Sequence, residues 1–445
     1  MSEINAKKYD IAVIGCGPGG FTAAVRAAQL GAKVVIIENS EIGGTCLNCG
    51  CIPTKFFWQA LKTKQKIQKS YEYGFKINME PFSFADIATK KDKNIANLRK
   101  GMELILSSYG ITLLKGRASF KTDNTVLSGE NEIYADKIII ASGTKPSSIK
   151  ALDFDGGKII DSTHALNLKE IPQTLLVIGG GAIGVELSTI FAGFGSKVTI
   201  AEYRDRLIPG EDAELSEEIK KSMQRQGIEV LTECKNAADM AVSFEKVLAV
   251  TGRTPCGELN IKDISINTDE KGFIKTDEYC RTNIENIYAV GDITGKNLLA
   301  YTAQNEGAVA AENAVKGNSI KICDSIIVQA VFSIPQCASV KVTDFEDYKD
   351  IVYGKFPFTA SARAFIEGER VGFIKCAVEK NTKKLLGFWI VGVHAEEIIN
   401  TAAVVLKSKM NRMYRESLFH PSLSEGLLNA YEDALGKCTE IIKRK

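Results

Sequence analysis

The chain is poor in several residue types and signals, and each shortage narrows what it can be. It has three histidines and two tryptophans in 445 residues. The question is therefore which of these three imidazoles does chemistry. No apolar run approaches the roughly 18 residues that a membrane span requires. The opening Met1–Lys8 stretch lacks the apolar core of a signal peptide. Neither sign of charge is in excess: 56 Lys+Arg against 54 Asp+Glu leaves +2. That balance gives no electrostatic reason to expect nucleic acid or an anionic membrane as partner. The 11 cysteines are an odd number. Without a secretion signal, they do not read as a disulfide framework, and a cytoplasmic, reducing setting is expected. At roughly 150 residues per domain, the length suggests about three domains.

The chain does contain one unit twice. Asp10–Gly15 reads as a buried β-branched strand. The glycines Gly15, Gly17 and Gly20 follow it, then a helix over 21–30. A second strand, Lys33–Ile37, ends at Glu38. The second copy runs from Leu175 to Gly179, continues through Gly181 and Gly184, and forms a helix to Phe194. Its second strand ends at Glu202. In each copy the first glycine and the acid are 23 residues apart (15 to 38, 179 to 202). Glycines let a backbone approach a pyrophosphate. The helix N-terminus offers N–H groups and a positive dipole end, and the acid accepts from ribose hydroxyls. Two dinucleotides are therefore expected, with the plain βαβ turn as the bland alternative.

Between the copies lies Gly43–Lys55, with three thiols, Cys46, Cys49 and Cys51, within six residues. Pro53 fits the first turn of a helix over 52–61. That places Cys46 and Cys51 near a helix N-terminus, where a thiolate is stabilised. A Cys46–Cys51 disulfide is sterically plausible. Two other readings stand beside it. The cysteines could be buried and structural, or they could bind a metal, although a fourth nearby ligand is missing.

This segment resembles the redox-active loop of the pyridine nucleotide-disulfide oxidoreductases of the dihydrolipoamide dehydrogenase and glutathione reductase group. The resemblance extends over nearly the whole chain. It implies FAD on the first unit, NAD(P) on the second and a Cys46–Cys51 disulfide against the flavin. Cys51 is then the thiol at the flavin, and Cys46 the interchange thiol that meets substrate. The family usually has an aliphatic residue where Cys49 stands. Cys49 reads as a small apolar substitute, with misoxidation or regulation as the alternative. Lys55 would stabilise negative charge on the reduced flavin, paired by resemblance with Glu186.

Two similar strands end in turns at Gly143 and Gly252, resembling the strands that close the family's nucleotide domains. The strand over 286–290 ends at Asp292, matching the aspartate that binds the flavin ribitol. The stretch 298–307 resembles the helix start beneath the flavin ring, although the lipoamide dehydrogenases usually have histidine where Tyr301 stands. From about 323 onward, alternating stretches suggest an antiparallel sheet, followed by helices over 395–409 and 422–435. This part resembles the family's interface domain and implies a homodimer.

Within it lie His420 and Glu425. A base must take a proton from a dithiol, and an imidazole suits that task. Pro421 is expected to start a helix, from which Glu425 reaches back to orient the ring. The pair resembles the family's His–Glu pair, which serves the disulfide of the partner subunit. His164 and His394 lie in no such constellation and read as structural.

The expected fold is α/β, with two Rossmann-like dinucleotide-binding domains, for FAD and NAD, and a C-terminal α+β dimerisation domain. The expected boundaries are 1–148 and 266–322 for the FAD domain, 149–265 for the NAD domain and 323–445 for the interface. Residues 231–246 are few for the antiparallel excursion that the family usually has, so the NAD domain reads as trimmed. Glu202 argues for NAD because it repels a 2′-phosphate, despite Arg204 and Arg206 nearby. A single cysteine, Cys438, lies where mercuric reductases carry a vicinal pair.

The resemblance therefore implies oxidation of protein-bound dihydrolipoamide, without a resident metal. No lipoyl domain is expected before the first unit. The lipoyl carrier would come from another chain, of a 2-oxo acid dehydrogenase complex or a glycine cleavage system. The alternatives are a glutathione- or mercuric-reductase-like enzyme, an idle flavoprotein and a metal-thiolate protein.

Overall fold

The computed structural model describes residues 7–149, 152–256, 259–323, 325–408, 413 and 415–442. A mixed, a parallel and an antiparallel sheet organise it, with a two-stranded ribbon between the first two.

The first sheet has seven strands, with Lys7–Ile14 at its centre. This strand runs parallel to Val34–Glu38 on one side, with Ile11 opposite Val34, and to Asn131–Ile140 on the other, with Ile14 opposite Ile140. Val34–Glu38 is buried along its whole length, as expected of a parallel strand covered on both faces. The chain leaves this sheet, builds the second one and returns: Ile287–Ala289 pairs parallel with Ile138–Ile140. The helix Pro18–Gln29 starts three residues earlier than the sequence pattern suggested, directly at the glycine turn.

The second sheet has five parallel strands in the order 229–231, 197–201, 174–178, 246–249, 159–160. The helix Ala182–Phe194 crosses between strands 174–178 and 197–201 and stops at Gly195, which adopts the left-handed conformation that glycine tolerates (φ 115°). Residues 232–245 contain one short 3₁₀ turn, Asp239–Ser243, and no strand among the described residues. The returns from the two sheets pair with each other. Thr144–Pro146 and Arg253–Pro255 form a two-stranded antiparallel ribbon between the nucleotide units.

The third sheet is antiparallel, in the order 326–331, 337–342, 385–391, 373–379, 351–357. Its central strand, Leu385–Val391, is buried at every residue. The alternation in its sequence therefore divides two cores. Phe388 and Ile390 pack under the helices Ala395–Lys407 and Glu425–Ala434. Leu386, Trp389 and Val391 join Val177, Leu187 and Phe191 of the second unit. The second of these helices begins at Glu425, three residues later than expected. The other, expected to run to 409, ends at Lys407, because Ser408 turns to extended backbone (φ −73°, ψ 150°).

Candidate active site

Each glycine turn is built from two kinds of glycine. A Cβ on Gly20 would overlap the Gly15 carbonyl oxygen, and one on Gly184 would overlap that of Gly179. These third glycines let helix and strand approach each other. The middle glycines differ. A Cβ on Gly181 would meet nothing within 4 Å, and one on Gly17 only the Gly44 Cα at 3.9 Å. Both point into a cradle that a side chain would fill. No side chain caps either helix, and neither has an acid in its first turn. The N–H groups and the positive dipole end stay free for a phosphate.

The two acids are seated alike. Glu38 accepts from the N–H of Cys16 (2.7 Å) and of Ser40 (2.9 Å). Glu202 accepts from the N–H of Gly180 (2.5 Å) and of Arg204 (2.7 Å). Both are buried. Arg206 is bound by its neighbour Asp205 at 2.7 Å. Its charge is thereby matched beside Glu202, which favours the 2′-hydroxyl of NAD over a 2′-phosphate.

The thiols lie where two helices meet. Cys46 is inside the short helix Gly44–Cys49, and Cys51 is the first residue of Cys51–Gln68. The second helix starts at Cys51 itself, so the thiol sits at its dipole end. A hydrogen bond from the Cys46 thiol, aided by the Lys55 ammonium, lowers Cys51 to about 7, against burial, which pushes it up. That same bond, together with burial, pushes Cys46 well above the usual thiol range. The pair is asymmetric: Cys51 holds the negative charge and Cys46 the proton. Cys49 is half-buried against Thr163, and burial raises it as well. No cluster of three or more His, Cys, Asp or Glu side chains able to hold a metal occurs among the described residues.

Lys55 is gripped from two sides. Its Nζ lies 2.8 and 2.9 Å from the Glu186 carboxylate oxygens and 4.6 Å from the centre of the Phe332 ring. Glu186 also accepts from the Phe332 N–H at 2.9 Å. One contact thus joins the first unit, the second unit and the C-terminal sheet. Sequence reading paired Lys55 with Glu186 by resemblance and missed Phe332, because nothing local to residue 332 signals it.

Two further residues were missed. Arg253 donates to Thr144 through Nε to Oγ1 (2.7 Å) and through Nη2 to the carbonyl (2.7 Å). Thr144 Oγ1 in turn donates to Asp292 Oδ2 at 3.0 Å. Burial raises the Asp292 carboxyl, opposed by Thr144 and Arg253. Both lie one residue beyond a glycine that the pattern did single out, Gly143 and Gly252. Both of those glycines have positive φ (70° and 153°).

His420 Nδ1 lies 2.9 Å from Glu425 Oε1, and Glu425 Oε2 accepts from the Ser422 N–H at 2.7 Å. Glu425 reaches the ring from the first turn of its own helix. Pro421 lies before the helix, in the turn. His420 is well exposed (side chain 76%), and among the hydrogen bonds and ion pairs of the described residues none joins it to the thiol pair of its own chain. Of the other histidines, His164 bonds Asp161 in a capping box and His394 lies 3.3 Å from Glu367.

Two adjoining nucleotide cradles, a polarised dithiol between them and a separate dimer-forming sheet define a flavin- and nicotinamide-linked disulfide oxidoreductase. Residues 9–307 match the pyridine nucleotide-disulphide oxidoreductase family, and residues 327–431 match its dimerisation domain. The chain belongs to this family. It is an enzyme with FAD and NAD as cofactors, and it forms a homodimer. It is 36% identical to a dihydrolipoyl dehydrogenase of Geobacillus stearothermophilus, over 97% of each chain. It is 35% identical to one of Thermus scotoductus, over 98% of this chain and all of that one. Among solved structures it resembles the HOCl-induced flavoprotein disulfide reductase RclA from Escherichia coli. That match has a TM-score of 0.82 and 27% identity, and covers 95% of this chain and 99% of the other. LpdA from Mycobacterium tuberculosis shares the fold, with a TM-score of 0.85 at 22% identity over 96% and 99% of the chains.

Proposed function

We propose that the chain oxidises protein-bound dihydrolipoamide to lipoamide, with Cys46 and Cys51 as its redox disulfide and His420 as its base. The asymmetry of the thiol pair carries this reading. Dihydrolipoyl dehydrogenases being relatives over nearly the whole chain supports the choice of substrate.

His420, oriented by Glu425, takes the proton of one substrate thiol. The resulting thiolate attacks Cys46 Sγ, and the Cys46–Cys51 bond breaks. Cys51 leaves as a thiolate, which its lowered pKa favours. The second substrate thiol then attacks the mixed disulfide at the substrate sulfur. Lipoamide closes, and Cys46 leaves and takes up a proton, which its raised pKa favours. Two protons have left the substrate, one now on Cys46 and one on His420. When bound, FAD would supply the acceptor for the dithiol's electron pair, and NAD⁺ the acceptor for hydride. Lys55, steadied by Glu186, supplies positive charge beside Cys51. Gly15, Gly17, Gly20, Glu38, Gly143 and Asp292 hold the flavin nucleotide. Gly179, Gly181, Gly184, Glu202 and Gly252 hold the nicotinamide one.

The lipoyl arm is presented by another protein, of a 2-oxo acid dehydrogenase complex or a glycine cleavage system. The three thiols of the loop suit a reducing, cytoplasmic setting. The test is NADH-linked activity with lipoamide, glutathione disulfide and mercuric ion side by side. Lipoamide is expected to lead, and a preference for glutathione disulfide with NADPH would overturn the reading.

A further inference from the structure

Tyr301 occupies the second position of the helix Ala300–Lys316. Its hydroxyl makes two bonds to one residue. It accepts from the Val328 N–H at 3.1 Å and donates to the Val328 carbonyl at 3.0 Å. Val328 is in the middle of Ile326–Val331, the edge strand of the C-terminal sheet. The outward N–H and C=O of Val328 on that edge are therefore both satisfied by one phenol oxygen. Few side chains could replace it. A hydroxyl donates and accepts at a single atom, whereas a neutral imidazole has its donor and acceptor on separate nitrogens. The ring itself is 46% exposed, so burial does not explain its place.

The helix that Tyr301 holds has an open start. Leu299 offers no capping side chain, and the first turn contains no acid. The body of the helix is fixed elsewhere, against Pro18–Gln29: a Cβ on Gly307 would overlap the Gly19 carbonyl oxygen. Glu306, within the same helix, accepts from the Gly291 N–H at 2.6 Å. Only Tyr301 ties the open first turn to the C-terminal sheet among the hydrogen bonds of the described residues.

We propose that Tyr301 is a positioning residue for the flavin. It holds the positive end of this helix in place by clasping it to the dimerisation domain. The proposal rests on the reading that FAD occupies the first unit. A helix start held in place stabilises negative charge arriving beside it, whereas a loosened one does so less.

The experiment compares purified wild type, Tyr301→Phe and Tyr301→His for FAD dissociation and for the midpoint potential of the bound flavin. Losing two hydrogen bonds is expected to raise the dissociation constant about tenfold in both variants. The potential is expected to move to a more negative value, while the circular dichroism spectrum and the dimer mass stay unchanged. A lowered melting temperature with an unmoved potential would assign Tyr301 to stability alone and overturn the proposal. So would variants that match wild type in both readouts. A wild-type chain that binds no added FAD would instead overturn the reading of the first unit itself.

Discussion

At the scale of single residues, the decisive feature is that neighbouring thiols differ in acidity. Cys51 is lowered to about 7 from the ordinary 9.0, whereas Cys46 is raised. The thiolate absorbance of the reduced protein near 240 nm is therefore expected to rise as pH passes about 7. That step should be lost in Cys51→Ser and kept in Cys49→Ser, and a step remaining in Cys51→Ser would move the charge to another thiol. The sign for stability follows. An acid whose pKa is depressed by folding contributes fully above its unfolded value, here near 9. The contribution of Cys51 is lost as pH falls through about 7. His420 acts on the other half of the exchange. His420→Gln is expected to lower lipoamide turnover by about 10²- to 10⁴-fold. Pre-steady-state reduction of the bound flavin by NADH should stay near wild type, because His420 touches neither cradle. A variant slowed equally in both half-reactions would remove His420 from the base role.

At the scale of elements, the two glycines of one turn separate binding from folding. Gly181→Ala adds a methyl group to open space. It is expected to leave the melting temperature within a degree or two of wild type and to raise KM for NADH. Gly184→Ala drives a methyl group into the Gly179 carbonyl. It is expected to destabilise the chain by several kcal/mol, read as a large fall in melting temperature or in soluble yield. A Gly181→Ala enzyme with unchanged KM would place the pyrophosphate elsewhere. This contrast also shows what sequence could convey. The glycine turns, the acids and the thiol loop were legible because their chemistry is local, with spacing alone placing Glu38 and Glu202 beside their turns. The Arg253–Thr144–Asp292 relay, the Phe332 N–H on Glu186 and the Tyr301 clasp were not. Each joins residues more than 25 positions apart, and no periodicity in the chain encodes such a pairing. The misplaced helix starts have a local cause: Pro18 and Glu425 begin helices without the side-chain caps that mark a start in sequence.

At the scale of the whole molecule, the site is assembled from separate bodies. Lys55, Glu186 and Phe332 join three of them at one point. His420 is displayed on the surface, and no hydrogen bond or ion pair among the described residues joins it to the thiols of its own chain. An exposed base and a thiol pair that do not meet within one chain are explained if each site is completed by the second copy of a symmetric dimer. Mixing two disabled chains tests this. Cys46→Ser removes the interchange thiol and His420→Gln removes the base, so each homodimer should be inactive with lipoamide. In a mixed dimer, the intact thiols of the His420→Gln chain face the intact histidine of the Cys46→Ser chain, and one of the two sites works. Random reassociation of equal amounts makes about half the dimers mixed, so activity should return to about a quarter of wild type. Had each chain carried a complete site of its own, no ratio of the two variants would restore any lipoamide turnover.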